Sequence, residues 1–141
     1  MPTVLLKSEP DDYAWDDLVR DGRATWDGVS NNAALMHLRR LCPGDAAFIY
    51  HTGAERRVVG LARVVSEPYE DPARPGLNAR GEPRRAVVDI EPVAPAPTPV
   101  PLSAVKSDPR FEGFDLIRQP RLSVVPVPPA MARALRRLAG W

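Results

Sequence analysis

Cysteine, histidine and lysine are all scarce in this sequence. Among its 141 residues it has one cysteine, Cys42, and two histidines, His37 and His51. A single thiol cannot form an internal disulfide, and with two histidines it cannot complete a zinc site. We therefore predict no metal ion and no cofactor, and we expect a cytoplasmic location. Cys42 lies between a helical and a strand pattern, where we expect a buried, unreactive thiol.

Long hydrophobic runs and recognisable catalytic motifs are also missing. No apolar run approaches the ~20 residues needed to cross a bilayer. The first residues, MPTVLLKSEPDD, have no basic region, so we expect no signal peptide and no membrane partner. No phosphate loop, dinucleotide fingerprint, HExxH pair or GxSxG elbow occurs. These absences favour a binding protein over an enzyme.

The residues that are present give the composition of an ordinary globular protein. Hydrophobic residues make up 44% and charged residues 26%, and 141 residues suit one domain, which we place at 1–141. The net charge of +1 argues against a uniformly basic surface that binds nucleic acid by charge alone. Arginine provides 17 of the 19 basic residues, a bias we expect from a G+C-rich, bacterial genome.

That near-neutral total conceals an uneven distribution of charge. Residues 1–27 contain seven acids and three bases, whereas residues 116–141 contain five arginines and no acid. Three of those arginines, at 133, 136 and 137, fall on a predicted terminal helix. They suit either a solvated helix face or a patch that contacts phosphate groups.

Hydrophobic patterning predicts five or six short strands and two or three helices. We predict strands at 4–6, 24–26, 46–50, 58–65, 86–93 and 122–127. Helices are predicted at 13–20, with Asp11 or Asp12 as N-cap, at 31–41 and at 131–138, with one helical turn at 102–106. Such a mixture favours a small mixed barrel.

Glycine and proline mark the irregular positions of this pattern. Gly60, inside a predicted strand, indicates a bulge or a close backbone approach. Residues 67–85 contain many prolines and glycines and predict a long loop. Prolines recur through 92–101, which predicts an extended segment at a sheet edge or over the surface.

Four polar segments interrupt the apolar pattern where predicted elements begin or end. They lie at 7–10, 26–31, 50–52 and 118–123. Loops at strand ends often carry function. These segments offer aromatic faces, amides, hydroxyls and cations, which suit a planar ligand that forms hydrogen bonds, such as a nucleobase.

Each of these residues also has a purely structural interpretation. Trp26 suits a core, Asn31 suits the N-cap of the following helix, and His51 suits a structural hydrogen bond. Asp27 can close its turn with a backbone hydrogen bond.

Two alternatives to a nucleobase-binding module stay open on the sequence. His51, Glu9 and Asp27 could provide acid–base chemistry in a small hydrolase that acts on a modified nucleotide or base. A protein-interaction module could use the proline-rich segment 92–101 or the arginine-rich terminal helix. The sequence does not determine the oligomeric state, for which we expect a monomer.

Six ordered segments of the sequence resemble one known family. They are KSEPDDYAWDDL, TWDGVSNNAA, GDAAFIYHTG, VVGLARVVSEPYEDP, VVDIEPV and IRQPRLSVVPV. Over residues 3–130 they resemble the EVE-domain family of the PUA-like superfamily. The resemblance implies an α+β fold, a PUA-like mixed pseudo-barrel of about five to six strands with flanking helices, similar to YTH and ASCH domains.

The resemblance also implies a function and a set of site residues. The family is expected to recognise a modified nucleobase in DNA or RNA, for example a modified cytosine. By this resemblance Trp26 would stack on the base, and Ser8 and Asn31 would form hydrogen bonds with its edge. Lys7 would lie near the mouth of the pocket.

The remaining implied site residues come from later segments. Tyr50 and His51 would line the pocket wall. Arg118 and Ser123 match the RQPRLS segment, and Arg118 suits a phosphate or carbonyl oxygen. Where the family commonly has arginine, this sequence has Ser30.

Overall fold

The computed structural model describes residues 2–141 and places seven strands in that range. The strands are β1 (Thr3–Ser8), β2 (Ala24–Trp26), β3 (Ala46–His51), β4 (Arg57–Val64), β5 (Tyr69–Glu70), β6 (Ala86–Pro101) and β7 (Val124–Pro126). The α-helices are α1 (Trp15–Asp21), α2 (Asn32–Arg39), α3 (Leu102–Lys106), α4 (Asp115–Arg118) and α5 (Pro129–Ala139). A 3₁₀ turn covers Pro109–Phe111.

The strands form one mixed sheet that curls into a half-barrel, which confirms the predicted α+β fold. Their order is β2-β6-β4-β3-β1-β7, with β5 paired to the start of β6. β1 and β3 run parallel, and the other pairs are antiparallel. A parallel β1–β3 pair requires a crossover, which α1, β2 and α2 provide.

The core packs between the sheet and its helices, and the central strands β3 and β4 are buried at most of their positions. Among its largest fully buried side chains are Phe48 of β3, and Phe111 and Phe114 near the 3₁₀ turn. Leu35 and Leu38 bring the apolar face of α2 onto the core, as the predicted helix requires. Asn31 is its N-cap, and the Asn31 side chain accepts a hydrogen bond from the Ala34 N–H at 3.1 Å.

Gly60 is the point where α1 packs against the sheet. A Cβ added to Gly60 would lie 2.3 Å from Cε3 of Trp15, so only glycine lets the indole approach the strand this closely. The pairing register of β4 with β6 also shifts between Val58 and Gly60. Both predicted consequences of this glycine, an irregular strand and a close approach, are confirmed.

The proline-rich segment is the second half of β6 and not a separate connector. It pairs with β4 at residues 92–95 and 100–101, with an irregularity between them, whereas β2 and β5 reach only residues 86–90 on the other side. Residues 92–101 therefore have one open edge, as expected for a segment rich in proline. Pro95, Pro97, Pro99 and Pro101 recur at every second position, so the residues without an N–H face the same edge.

Some predicted boundaries and environments are wrong. Helix α1 begins at Trp15, and neither Asp11 nor Asp12 caps it, because the N–H groups of Asp12 and Tyr13 both donate to the Glu9 carbonyl in a preceding turn. The Asp17 carboxylate instead accepts from the Ala14 N–H at 2.8 Å.

Cys42 is exposed, contrary to the prediction of a buried thiol. It lies in the turn after α2, where its N–H donates to Asp45 Oδ2 at 2.8 Å. The turn buries Asp45, which leaves the Cys42 side chain outside. The sequence analysis also missed β5, the 3₁₀ turn and α4, which are too short to produce a periodic signal.

Candidate functional site

A cavity with a volume of about 580 Å³ lies beside the end of β1. Its walls are formed by residues 7–9, 12–13, 24–29 and 123. This volume lies within the ~300–1,000 Å³ typical of small-molecule sites. The antiparallel pairing of β1 with β7 brings residue 123 beside residues 7–9, and the chain between β1 and β3 contributes residues 12–13 and 24–29.

The polar wall of the cavity comes from β1 and from the segment that enters β7. The Lys7 N–H donates to the Ser123 carbonyl at 3.0 Å, which holds the two segments side by side. Because side chains alternate along a strand, Lys7 and Ser8 point to opposite faces of β1. The Ser8 hydroxyl donates to the Tyr13 carbonyl. Its oxygen lone pairs can still accept a hydrogen bond from a ligand.

The aromatic wall is formed by Trp26 at the end of β2 and by Tyr13. The two rings meet edge to face, with centroids 6.5 Å apart and planes at 78°. Only 9% of Trp26 is exposed, so the residue belongs both to the core and to the cavity wall. The Tyr13 hydroxyl donates to Asp21 Oδ2 at 2.9 Å, and burial together with this carboxylate raises the pKa of Tyr13 to about 12.

Three carboxylates give the cavity a surplus of hydrogen-bond acceptors. Glu9 is partly engaged, since Glu9 Oε2 accepts from the Thr52 hydroxyl at 3.2 Å. The exposed Asp12 and Asp27 carboxylates form no hydrogen bond with any other residue in 2–141. The cavity can therefore accept N–H groups from a neutral ligand, and it disfavours an anion at this rim.

Four of the eight residues expected in the site line this cavity: Lys7, Ser8, Trp26 and Ser123. Asn31 does not, because its carboxamide oxygen is used to cap α2. It borders a separate shallow depression beside residues 119–122. Asn31 is therefore placed as the N-cap of α2 and not for contact with a base in this cavity.

Tyr50 lies on the other side of Lys7, in a neighbouring groove. Lys7 Nζ donates to the Pro120 carbonyl at 2.9 Å and lies 6.0 Å from the centroid of the Tyr50 ring. Burial lowers the pKa of Lys7 and raises the pKa of Tyr50. Tyr50 therefore supports the Lys7 side chain and does not line the cavity that contains Trp26.

His51 is buried and lies outside both the cavity and this groove, which contradicts its expected place in the pocket wall. Its Nε2 accepts from the Trp15 N–H at 3.0 Å. Its Nδ1, which must then carry the proton, lies 3.0 Å from Glu55 Oε1. Both ring nitrogens are occupied, so His51 has none left for a ligand.

Arg118 ends α4 and is exposed, and it lines neither the cavity nor the groove. Arg85 lies against Ser30, the position at which the resemblance to the family led us to expect an arginine. Its Nη1 donates to the Ser30 carbonyl at 3.1 Å, next to Val29 of the cavity wall. A cation from the loop 67–85 is thus present at the Ser30 position.

Sequence reasoning missed four residues that line the cavity: Asp12, Tyr13, Ala24 and Thr25. Tyr13 was predicted to be the first residue of the helix at 13–20, but it precedes α1, which begins at Trp15. Its place in the KSEPDDY segment, directly after Ser8-Glu9-Pro10, was the available signal.

Comparison with known proteins assigns the chain to a family. The family model described as EVE domain matches residues 4–138. The chain belongs to the EVE-domain family. The EVE domain is 30% identical to thymocyte nuclear protein 1 of Gallus gallus over 123 residues, which covers 73% of this chain and 51% of that protein. It spans about half the length of the chicken and human forms of that protein.

Solved structures share the fold of this EVE domain over nearly its whole length. Protein Rpa0253 of Rhodopseudomonas palustris is 36% identical with a TM-score of 0.88, and the match covers 99% of this chain and 94% of that one. Human THYN1, solved in complex with 5-methylcytosine-containing DNA, is 24% identical with a TM-score of 0.86, and the match covers 100% and 99%.

A more distant likeness reaches the YTH domain of Zygosaccharomyces rouxii MRB1 in complex with N6-methyladenosine RNA. That structure is 15% identical with a TM-score of 0.61, over 98% of this chain and 86% of that one. These likenesses confirm the predicted fold, a mixed half-barrel sheet with flanking helices.

The described part of this EVE domain, residues 2–141, contains no helix long and apolar enough to span a membrane. Nor does that range hold a group of three or more histidine, cysteine or acidic side chains placed to bind a metal ion.

Proposed function

We propose that this EVE domain binds a modified nucleobase of DNA or RNA in the cavity between β1 and β2. The observation that carries the proposal is one cavity of about 580 Å³ that combines the accessible part of Trp26 with the Ser8 oxygen. A base needs an aromatic face for stacking and polar groups at its edge. Two proteins that share the fold, human THYN1 and the YTH domain, were solved with methylated nucleic acid.

The acceptors of the cavity favour a base with an exocyclic amino group. Carboxylates accept from the N4 amino group of cytosine, and adenine presents a comparable N6 donor. Asp12 and Asp27 are exposed, without other hydrogen-bond partners in 2–141, and they line the cavity together with Ser8. A modified base with an exocyclic amino group, for example a modified cytosine, is therefore the ligand class that this arrangement suits.

Energetics favour a base that is already unpaired. Stacking on an aromatic ring contributes ~1–3 kcal/mol per base. Extruding a base from a duplex costs a few kcal/mol. Stacking alone hardly offsets extrusion, so we expect tighter binding to single-stranded or mismatched targets than to intact duplexes.

The first test replaces the aromatic wall. We expect Trp26→Ala to weaken binding of a 5-methylcytosine oligonucleotide about tenfold or more, because the stacking contribution is lost. Fluorescence anisotropy measures the affinity. Because Trp26 is largely buried, thermal melting must show that the variant is folded, and Trp26→Phe is the matched control that keeps an aromatic face. Equal affinity of the parent protein for modified and unmodified oligonucleotides would contradict the proposal.

A second test addresses the edge of the base and leaves the core intact. Asp12→Asn combined with Asp27→Asn changes two exposed carboxylates into amides. We expect this variant to lose much of the preference for 5-methylcytosine over thymine at the same position, since the charged acceptors are gone. The ratio of the two affinities is the readout, because removing negative charge raises affinity for both. An unchanged ratio would exclude these carboxylates from base recognition.

We propose that the cavity serves binding and not catalysis. Of the three acid–base candidates, Glu9 and Asp27 line the cavity, whereas His51 is buried with both nitrogens engaged. Incubation with modified nucleosides and bases tests this point, and turnover that depends on Glu9 or Asp27 would favour the hydrolase. The cytoplasmic location, the monomeric state and the single domain at 1–141 stay predictions.

A further inference from the structure

A second concave surface lies next to the base cavity and has the opposite charge. This groove, of about 260 Å³, is lined by three cations, Lys7, Arg56 and Lys106, together with Tyr50, Thr52 and Pro120. No aspartate or glutamate within residues 2–141 contributes to its walls. We call it the basic groove.

The three cations keep free hydrogen-bond donors. None of them forms an ion pair with an acid within residues 2–141. Lys7 Nζ uses one donor on the Pro120 carbonyl, and Arg56 Nε uses one on the Gly53 carbonyl at 3.1 Å. The terminal Arg56 nitrogens and the Lys106 ammonium are available to an anion.

Arg56 occupies its place despite an unfavourable backbone conformation. Its φ of 48° is positive, and within the described range no other non-glycine residue has a positive φ. The Arg56 carbonyl accepts from the Leu102 N–H at 2.8 Å, which fixes the turn between β3 and β4 against the start of α3. Glycine or asparagine would adopt this conformation with less strain, so the turn itself does not explain the arginine.

The base cavity and the basic groove share a wall. Lys7 borders both. Thr52 of the groove donates from its N–H to the Ser8 carbonyl at 2.9 Å and from its hydroxyl to Glu9 of the cavity. A ligand with a neutral planar part and an adjacent anionic part can therefore occupy both surfaces at once.

We propose that the basic groove binds a backbone phosphate of the same strand whose modified base enters the cavity, with Arg56 and Lys106 as its principal donors. This inference rests on the proposed function and adds to it the path of the strand. A phosphodiester carries the charge that the groove attracts and the cavity rim repels, which orients the nucleotide. The arginines of α5 are the competing surface, because Arg133 and Arg137 are exposed but line neither the cavity nor the groove.

The test compares two double variants that each remove two positive charges. Arg56→Gln with Lys106→Gln alters the groove, and Arg133→Gln with Arg137→Gln is the matched control on α5. Affinities for a single-stranded 5-methylcytosine oligonucleotide and its unmodified counterpart are measured between about 50 and 200 mM salt. For the groove variant we expect the slope of log K against log salt to become shallower by about 0.7 for each phosphate that the protein no longer neutralises. The ratio of modified to unmodified affinity should stay unchanged.

The outcomes separate failure of the groove from failure of base recognition. An unchanged slope in the groove variant, or an equal change in the α5 variant, would overturn the groove proposal even if the modified base is preferred. A shallower slope only in the groove variant, with Trp26→Ala lowering the preference for the modified base, supports both proposals. A shallower slope with no such preference in the parent protein would leave a phosphate groove and overturn the modified-base proposal.

Discussion

His51 shows how one side chain supports the site without touching it. The Trp15 N–H opens α1 and, like the other first N–H groups of a helix, has no partner within the helix. The His51 ring on β3 accepts its hydrogen bond. The segment just before Trp15 forms one wall of the base cavity, so this bond ties the cavity wall to the sheet.

We expect His51→Ala to lower the free energy of unfolding by about 1–3 kcal/mol, because it leaves the buried Trp15 N–H without an acceptor. Denaturant unfolding followed by circular dichroism measures the change. Glu55→Ala is the control, since it removes only the exposed partner of His51 and should cost less than about 1 kcal/mol. Equal losses in the two variants would show that the bond to Trp15 is not what matters.

For individual residues, the sequence indicated which side chains could bind a base better than it indicated where they lie. The resemblance named Trp26, Ser8, Lys7 and Ser123, which do meet at one cavity. The direction of a side chain at a strand end depends on pairing partners distant in the sequence, which is why Tyr50 and His51 could not be placed. Asn31 had two compatible interpretations, and the helix cap is the one that the structure contains.

The short strand β2 is joined to its neighbours by a polar network around Asp89. It has three residues, ends with Trp26, and forms an outer edge of the main sheet, where it pairs with β6. Asp89 of β6 accepts from the Tyr69 hydroxyl at 2.7 Å and from the Thr25 hydroxyl at 3.0 Å. Arg23 donates to the same carboxylate at 3.0 Å. One side chain thus connects β2, β5 and β6.

Ionised Asp89 stabilises this connection. Burial raises the pKa of Asp89, but hydrogen bonds from Tyr69, Arg23 and Thr25 outweigh burial and hold the pKa below its usual range. A lowered pKa in the folded state means that the contribution is complete above the unfolded value of about 3.9 and is lost as the pH falls through the folded value.

We therefore expect Asp89→Asn to be less stable than the parent protein at neutral pH, and to lose less further stability below about pH 4 than the parent does. Thermal melting across about pH 2 to 7, in about 0.1 M salt, measures both effects. Asp71→Asn, on the loop 67–85, is a carboxylate control outside this network. A parallel decline of Asp89→Asn and the parent through the acid range would contradict the assignment.

Long elements with strong periodicity were predicted, and short or unusual ones were not. Helices α2 and α5 and strands β3 and β4 appear within a few residues of their predicted bounds. The proline-rich half of β6 was predicted as an extended segment at a sheet edge or over the surface, but its continuity with the strand before it was not predicted. Proline lacks an N–H yet keeps its carbonyl, so a neighbouring strand can pair with the intervening residues.

At the scale of the whole molecule, Trp141 covers part of the open edge of β6. Its indole Nε1 donates to the Pro95 carbonyl at 3.1 Å. Its ring packs against Phe48 of the central strand β3, with centroids 5.9 Å apart. The end of α5 is thereby attached to an edge that has no strand partner within residues 2–141.

We expect Trp141→Ala to lower the free energy of unfolding by about 1–3 kcal/mol, because the variant has neither the aromatic packing nor the hydrogen bond. Trp141→Phe keeps the ring but not the N–H donor and should recover about half of that decrease. Denaturant unfolding distinguishes the three proteins. If Trp141→Ala were as stable as the parent protein, Trp141 would not stabilise the open edge of β6.

The distribution of charge over the molecule also differs from what the net charge suggests. The net charge of +1 argues only against a uniformly basic surface. Within residues 2–141 the fold places three carboxylates beside the cavity, and it places three cations and no acid along the adjacent groove. Such a local arrangement suits a single nucleotide even though the net charge of the protein is only +1.

The sequence by itself determined the fold class, the principal helices and strands and the family, because periodicity, turn residues and ordered motifs are local properties of the chain. Only the tertiary structure decided which side chains share a surface. Lys7, Arg56 and Lys106 are separated by dozens of residues, yet the pairing of β1 with β3 and of β4 with β6 brings them to one groove. His51 points into the core for the same reason. The register of strand pairing decides which face each side chain occupies, and that register is set only when strands distant in the sequence pair.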